Sequence, residues 1–218
     1  MENNHLIWKE EGSREVFRCR VFSVREISCR PPEPSAEACF PQGSLGRGSP
    51  PDNELRSYTV LDAADWAIII PVIETERGRA FVMVRQWRHG SRELSLEFPG
   101  GVFEPGEDAE AAAGRELWEE TAYRALKIRK IGEFSPNPAI MSNRVHFFLA
   151  ENLQHTGAQN LDEDEYIEVE TVSAADVLRG MGRPPYVHAL MGSALALYLQ
   201  KTVGDADLLP KNPQGFQF

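Results

Sequence analysis

Apolar and polar residues alternate along residues 15–29, where Val16, Cys19, Val21 and Val24 are interleaved with Arg18, Arg20 and Arg25. A period of two is that of a half-buried strand, so one or two antiparallel strands are expected here. Residues 30–54 are rich in proline, glycine and serine and show no period, which predicts a flexible insertion in a strand connection. Strands resume over 56–72, where Trp66 leads into the run Ala67-Ile68-Ile69-Ile70-Pro71-Val72. They continue over 80–85 after a turn at Arg77-Gly78, and over 94–101. The pattern then changes. Residues 108–120 are rich in alanine and contain no proline or β-branched residue, which predicts a helix. Strands follow over 126–134 and 145–151. Ser173 is the expected N-cap of a helix over 174–180, and 186–203 reads as a long helix with an apolar face. Residues 204–218 are expected to fray. Strands interspersed with helices define an α/β chain.

The helix over 108–120 carries the chemistry. Ala109, Ala113 and Leu117 recur every four residues and provide a face to bury, while Glu116, Glu119 and Glu120 stand at i, i+3 and i+4 and share another. Three carboxylates gathered on one face repel unless positive charge lies among them. A hard divalent cation with a preference for oxygen ligands, Mg²⁺ or Mn²⁺, answers that need. A glutamate-rich helix face is by itself more often solvated surface, so the surrounding spacing has to decide.

Composition narrows the setting. The chain has 218 residues, 42% hydrophobic and 26% charged, enough for one good core with a small accessory element. A net charge of −10 argues against a nucleic-acid backbone or an anionic membrane as partner. Cys19, Cys29 and Cys39 are odd in number and form neither a metal-ligand pattern nor a disulfide framework, so free thiols in the cytoplasm are expected. No apolar run is long enough to span a bilayer, and residues 1–9 lack signal-peptide character.

The spacing around the helix settles the reading of its glutamates. Gly101, five residues, Glu107, seven residues, then Arg115-Glu116-Leu117-Trp118-Glu119-Glu120 resembles the signature of the Nudix hydrolases. Two positions depart from it: Ala122 stands where the family has glycine, and Tyr123 where it usually has an aliphatic residue. The glycine ends the helix, so Ala122 is expected in a left-handed conformation at a cost of about 1 kcal/mol. Upstream, Arg85-Gln86-Trp87-Arg88 followed by Leu96-Glu97-Phe98-Pro99-Gly100-Gly101 resembles the branch of the family that acts on ADP-ribose and sugar nucleotides. Downstream, Pro138 resembles a proline marker of the ADP-ribose pyrophosphatases, although their Ser-Pro-Gly is replaced by Ser135-Pro136-Asn137-Pro138.

The resemblance implies an α/β/α sandwich around a mixed sheet, preceded by antiparallel N-terminal strands that commonly join two subunits into a homodimer. It implies a Nudix domain over 61–204, a dimer-forming strand region over 1–60 and a tail over 205–218. It also implies hydrolysis of a nucleoside diphosphate derivative, ADP-ribose first. GDP-mannose-type sugar nucleotides, dinucleoside polyphosphates and a non-catalytic nucleotide-binding role remain open. Expected metal ligands are the Gly100 carbonyl, Glu116, Glu119, Glu120 and Glu165, the last from the acidic stretch 162–170. Glu163 in that stretch is the first choice for the base, with its exchange for Glu165 left open. Glu119 and Arg115 complete the catalytic group, Arg115 by pairing with Glu107. Forked guanidinium donors suit Arg85 and Arg88 to phosphate oxygens. Glu97 suits a hydroxyl or amine of the substrate, Pro138 its selection, and Trp87 or Trp66 a stacked base.

Overall fold

The computed structural model describes residues 6–32, 54–163 and 165–202. The insertion expected over 30–54 and the tail expected over 204–218 fall largely or wholly outside them. The chain divides into two compact units.

The first unit comprises residues 1–63 and 137–143. The alternating stretch forms two strands, β1 (Lys9–Arg18) and β2 (Phe22–Arg30), paired antiparallel, and β3 (Arg56–Ala63) adds to β2 in the order β1-β2-β3. β1 lies at an edge and is exposed throughout. Its charges answer those of β2: Arg14 donates to Glu26 at 2.8 Å and Arg30 to Glu11 at 3.1 Å. Residues 137–143, which include Pro138, are tied to β3 by Leu61 N–H on Ile140 O at 2.7 Å and Ser142 N–H on Leu61 O at 3.1 Å.

The second unit is built on a six-stranded mixed sheet. β4 (Trp66–Thr75), β5 (Gly78–Arg88), β6 (Glu93–Glu97), β7 (Tyr123–Phe134) and β8 (Val145–His155) run in the order β6-β5-β4-β8-β7, and β9 (Glu168–Ser173) pairs with β5. β4 and β8 are parallel, and the other pairs are antiparallel. Strict alternation along β4 feeds two cores. Ile68 and Ile70 face α2 (Ala174–Gly180) and α3 (Ala189–Thr202), packing with Phe81, Phe147, Val177 and Leu195. Ala67 and Ile69 face α1 (Ala109–Thr121), packing with Ala113, Leu117 and Phe148. Helices on both faces of the sheet make the α/β/α sandwich expected from the sequence.

α3 begins at Ala189, three residues later than the apolar pattern suggests; Tyr186 is instead bonded into a turn, with its N–H on Arg183 O and its carbonyl accepting from Gly182 N–H, and the segment 185–191 lies beside β6. Leu96 N–H donates to Pro185 O and Phe98 N–H to Met191 Sδ, both at 3.0 Å. Ser173 occupies the N-cap position of α2 but makes no side-chain cap bond.

Candidate active site

The approach to α1 is drawn tight against β4. Ile69 N–H donates to Pro99 O and Ala67 N–H to Gly101 O, each at 2.9 Å, so the residues after β6 continue as an added partner of the central strand. That closeness explains the two glycines. A Cβ at Gly100 would lie 2.2 Å from Ala67 O, and one at Gly101 would lie 2.4 Å from Glu116 Oε1. The loop then turns at Gly106, where φ is +80°, and Asp108 caps α1 by accepting from Glu110 N–H at 2.9 Å and Ala111 N–H at 3.3 Å. The helix ends at Ala122, with φ 59° and ψ 17°, the left-handed conformation expected from the departure from glycine.

On α1 the three glutamates share a face. Glu116 and Glu120 are 8% and 3% exposed, and Glu119 is partly buried. Glu120 Oε2 accepts from Gly100 N–H at 2.8 Å, which joins the glycine loop to the last turn of the helix. Arg115 holds the rest together. Its Nε and Nη2 donate to the two oxygens of Glu107, both at 2.9 Å, and its Nη1 donates to Glu116 at 2.9 Å and Glu119 at 3.0 Å. The pairing of Arg115 with Glu107 implied by the resemblance is present, and it draws in two further carboxylates.

These surroundings set the charge states. Burial pushes the Glu116 carboxyl up to about 7, against the pull of Arg115 and with the repulsion of Glu119 and Glu165. Burial also raises Glu120 well above the usual carboxylate range, helped by Glu116 and Glu165 and opposed by the Gly100 N–H and Arg88. Glu107 moves the other way because Arg115 favours its charged form. Two buried carboxylates that repel each other and a third on the facing loop are an oxygen-rich set short of positive charge, which fits a hard divalent cation. Among the described residues, no three His, Cys, Asp or Glu side chains are already gathered as a ligand sphere. The bonds to Arg115 and Gly100 use one oxygen of each of Glu116, Glu119 and Glu120.

The acidic stretch lies beside this helix. Asn160 N–H donates to Glu119 O at 2.9 Å, and Gln159 Nε2 donates to Glu120 O at 2.5 Å and to Ile167 O at 3.5 Å. Glu163 is exposed and Glu165 partly buried on the segment between. The repulsion Glu165 exerts on Glu116 and Glu120 brings it electrostatically into the group.

The upstream residues form a second cluster. Glu97 is 2% exposed, and both its oxygens are engaged: Arg88 Nε donates to Oε1 at 2.9 Å, Arg88 Nη2 to Oε2 at 2.6 Å, and His188 Nδ1 to Oε2 at 2.7 Å. Burial would raise this carboxyl, but the Arg88 fork and His188 outweigh it and hold it at about 2. Arg85 is bonded through Nε to Glu170 on β9. Trp87 is 48% exposed, whereas Trp66 packs against the core. Pro138 is exposed in the first unit. His188 and Gln159 were not singled out from the sequence. No local spacing marks either one; their partners lie far away in the chain.

The NUDIX domain profile matches residues 64–191, well over half of the chain. With the box geometry above, this places the chain in the Nudix family. An ADP-ribose pyrophosphatase of Bacillus subtilis (strain 168) is 42% identical over 106 residues, which cover 48% of this chain and 57% of that protein. A methanol dehydrogenase activator of Bacillus methanolicus is 31% identical over 111 residues, covering 50% of this chain and 60% of that one. The match thus spans somewhat over half the length of each relative. A crystal structure described as an ADP compounds hydrolase superposes with a TM-score of 0.68 at 22% identity, covering 89% of this chain and 95% of the other, a likeness of fold. Among the described residues no helix is long and apolar enough to cross a membrane.

Proposed function

We propose that the chain hydrolyses the diphosphate bond of nucleoside diphosphate-linked small molecules, with ADP-ribose as first substrate, giving AMP and ribose 5-phosphate. One observation carries this reading: Glu116 and Glu120 are buried, mutually repelling carboxylates on the helix face closed by Gly100 and Gly101. Burying such a pair is unfavourable unless a cation offsets it. Glu116, Glu119, Glu120, Glu165 and the Gly100 carbonyl would hold Mg²⁺, with Mn²⁺ as a substitute. When bound, the cation neutralises diphosphate charge and makes a water more acidic.

The chain's own residues supply the rest. Glu163 accepts the proton of the attacking water at a carboxylate oxygen, with Glu165 able to exchange roles with it. The water oxygen bonds to one phosphorus as the bridging P–O bond breaks, and the bridging oxygen leaves with the other phosphate. Arg115 keeps Glu107, Glu116 and Glu119 in place. Arg88 and Arg85 meet the diphosphate oxygens, Glu97 contributes to the same end of the ligand, and Trp87 offers an exposed ring to a base. Pro138 contributes to substrate selection. We further propose a cytoplasmic homodimer joined through a strand region over 1–60, with a catalytic domain over 61–204 and a tail over 205–218. The similarity to an ADP-ribose pyrophosphatase supports the substrate class.

The test is turnover of ADP-ribose, GDP-mannose and a dinucleoside polyphosphate with Mg²⁺, with Mn²⁺ and in EDTA. Metal-dependent release of AMP from ADP-ribose at the highest rate is expected. The same rate in Glu120→Gln as in wild type would defeat the reading.

A further inference from the structure

The geometry points to His188 as a positioning residue for diphosphate binding: through Glu97 it fixes the guanidinium of Arg88 for an anion. This rests on the hydrolytic reading above and adds a residue outside the family box.

The three side chains form a connected row. A carboxylate has room for about four hydrogen bonds, and Glu97 receives two from Arg88 and a third from His188 Nδ1. Because the carboxylate only accepts, Nδ1 of His188 carries the proton. The burial of the partners is unequal: the Glu97 side chain is 2% exposed and that of Arg88 44%. Glu97 therefore anchors one side of the guanidinium inside the protein while the other side remains open. The bonds to Glu97 use Nε and Nη2, leaving Nη1 available.

His188 is itself firmly placed. It immediately precedes α3, and its carbonyl accepts from Met191 N–H at 3.0 Å. Leu96, Glu97 and Phe98 are each bonded to the same segment, at Pro185, His188 and Met191 respectively. The backbone bond from Leu96 to Pro185 on one side and the bond from Phe98 N–H to the Met191 thioether on the other hold this segment beside Glu97, so the imidazole meets a carboxylate already held in register. A flexible arginine loses side-chain entropy when it binds an anion. An arginine whose carboxylate partner is locked from behind has already lost much of it. His188 thereby contributes to substrate affinity without touching substrate.

The experiment compares wild type, His188→Ala, His188→Asn, His188→Gln, Arg88→Ala and the Arg88→Ala/His188→Ala double variant. Binding of ADP-ribose in EDTA is followed by calorimetry, and KM and kcat are measured with Mg²⁺. His188→Ala is expected to weaken ADP-ribose binding and raise KM about tenfold with kcat changed less than about twofold. Such a split marks lost ground-state binding. Asn places an amide nitrogen near the position of Nδ1 and should restore affinity to within about threefold; Gln places it farther out and should not. In the Arg88→Ala background, loss of His188 should change affinity less than about twofold. Wild-type affinity in His188→Ala, equal losses in the two backgrounds, or equal values for Asn and Gln would each overturn the assignment. Should His188→Ala melt too low for assay, the Asn and Gln comparison decides alone. Wild type that binds ADP-ribose without cleaving it defeats the hydrolytic reading but leaves this comparison intact; wild type with no affinity overturns both.

Discussion

Replacing Gly101 by alanine separates the geometry of the site from the stability of the fold. Gly101 lies outside the left-handed region, so the new residue adds no backbone strain. Its methyl carbon would lie 2.4 Å from Glu116 Oε1 and 2.5 Å from Cδ and Oε2, whereas ordinary contact begins at 3.4 Å. The carboxylate therefore has to move by about 1 Å, a displacement that commonly lowers catalytic rate on the order of 100-fold. The obstacle is the end of a side chain, so the fold should accommodate it, with Tm changing by less than about 4 °C for about 1 kcal/mol in a chain of this size. Gly100→Ala is the control. Its methyl would meet Ala67 O at 2.2 Å and Ile68 Cα at 3.1 Å, the backbone of a buried strand. Overpacking of about 3 kcal/mol there should lower Tm by about 6–12 °C. The assays are thermal melts and kcat/KM for ADP-ribose with Mg²⁺. If Gly101→Ala keeps kcat/KM within about threefold of wild type, or if both variants lower Tm alike, the carboxylate cradle is not as described.

Glu120→Gln should raise Tm in EDTA, because the raised carboxyl means that its charged form opposes folding at neutral pH, and should reduce turnover by at least about 100-fold as a ligand is lost. A lower Tm at neutral pH would contradict the burial argument. Glu97 has the opposite sign: held at about 2 against 4.5 when free, it contributes about 3 kcal/mol that is fully present above pH 4.5 and lost as pH falls towards 2. Urea melts from pH 5 to 2 should show a steeper loss in wild type than in Glu97→Gln; parallel curves would refute it. Ala122→Gly relieves about 1 kcal/mol of left-handed strain but exchanges it for a buried methyl worth about 0.8 kcal/mol, since Ala122 is 2% exposed. Denaturant melts should therefore agree within about 0.5 kcal/mol, and a gain of a full 1 kcal/mol would show that the methyl contributes nothing.

Local signals were readable where local physics governs. The alanine-rich run predicts α1, and the left-handed end at Ala122 is what the resemblance to a family with glycine there implies. The three glutamates share a face because helical periodicity requires it. Contacts that depend on tertiary closure were not readable. Residues 186–188 carry a helix-like pattern, yet Tyr186 is bonded into a turn with Gly182 and Arg183, and α3 starts later. The bonds of Glu97 to Arg88 and His188 were not readable, because neither Arg88 across the strand pair nor His188 from a distant segment is adjacent to it in sequence. The acidic stretch ends in β9, and its pairing with β5 joins segments far apart in sequence that no local pattern connects.

Gln159 has a consequence for how such a chain can vary. α1 has no basic residue in its last turn, and its terminal carbonyls are met by Asn160 N–H and the Gln159 amide, which also reaches Ile167 O. The acidic segment is therefore pinned at both roots. Adding or removing one residue between the pins would bring a different carboxylate to bear, leaving helix and sheet undisturbed. A lineage could retune its chemistry there by changes in length alone.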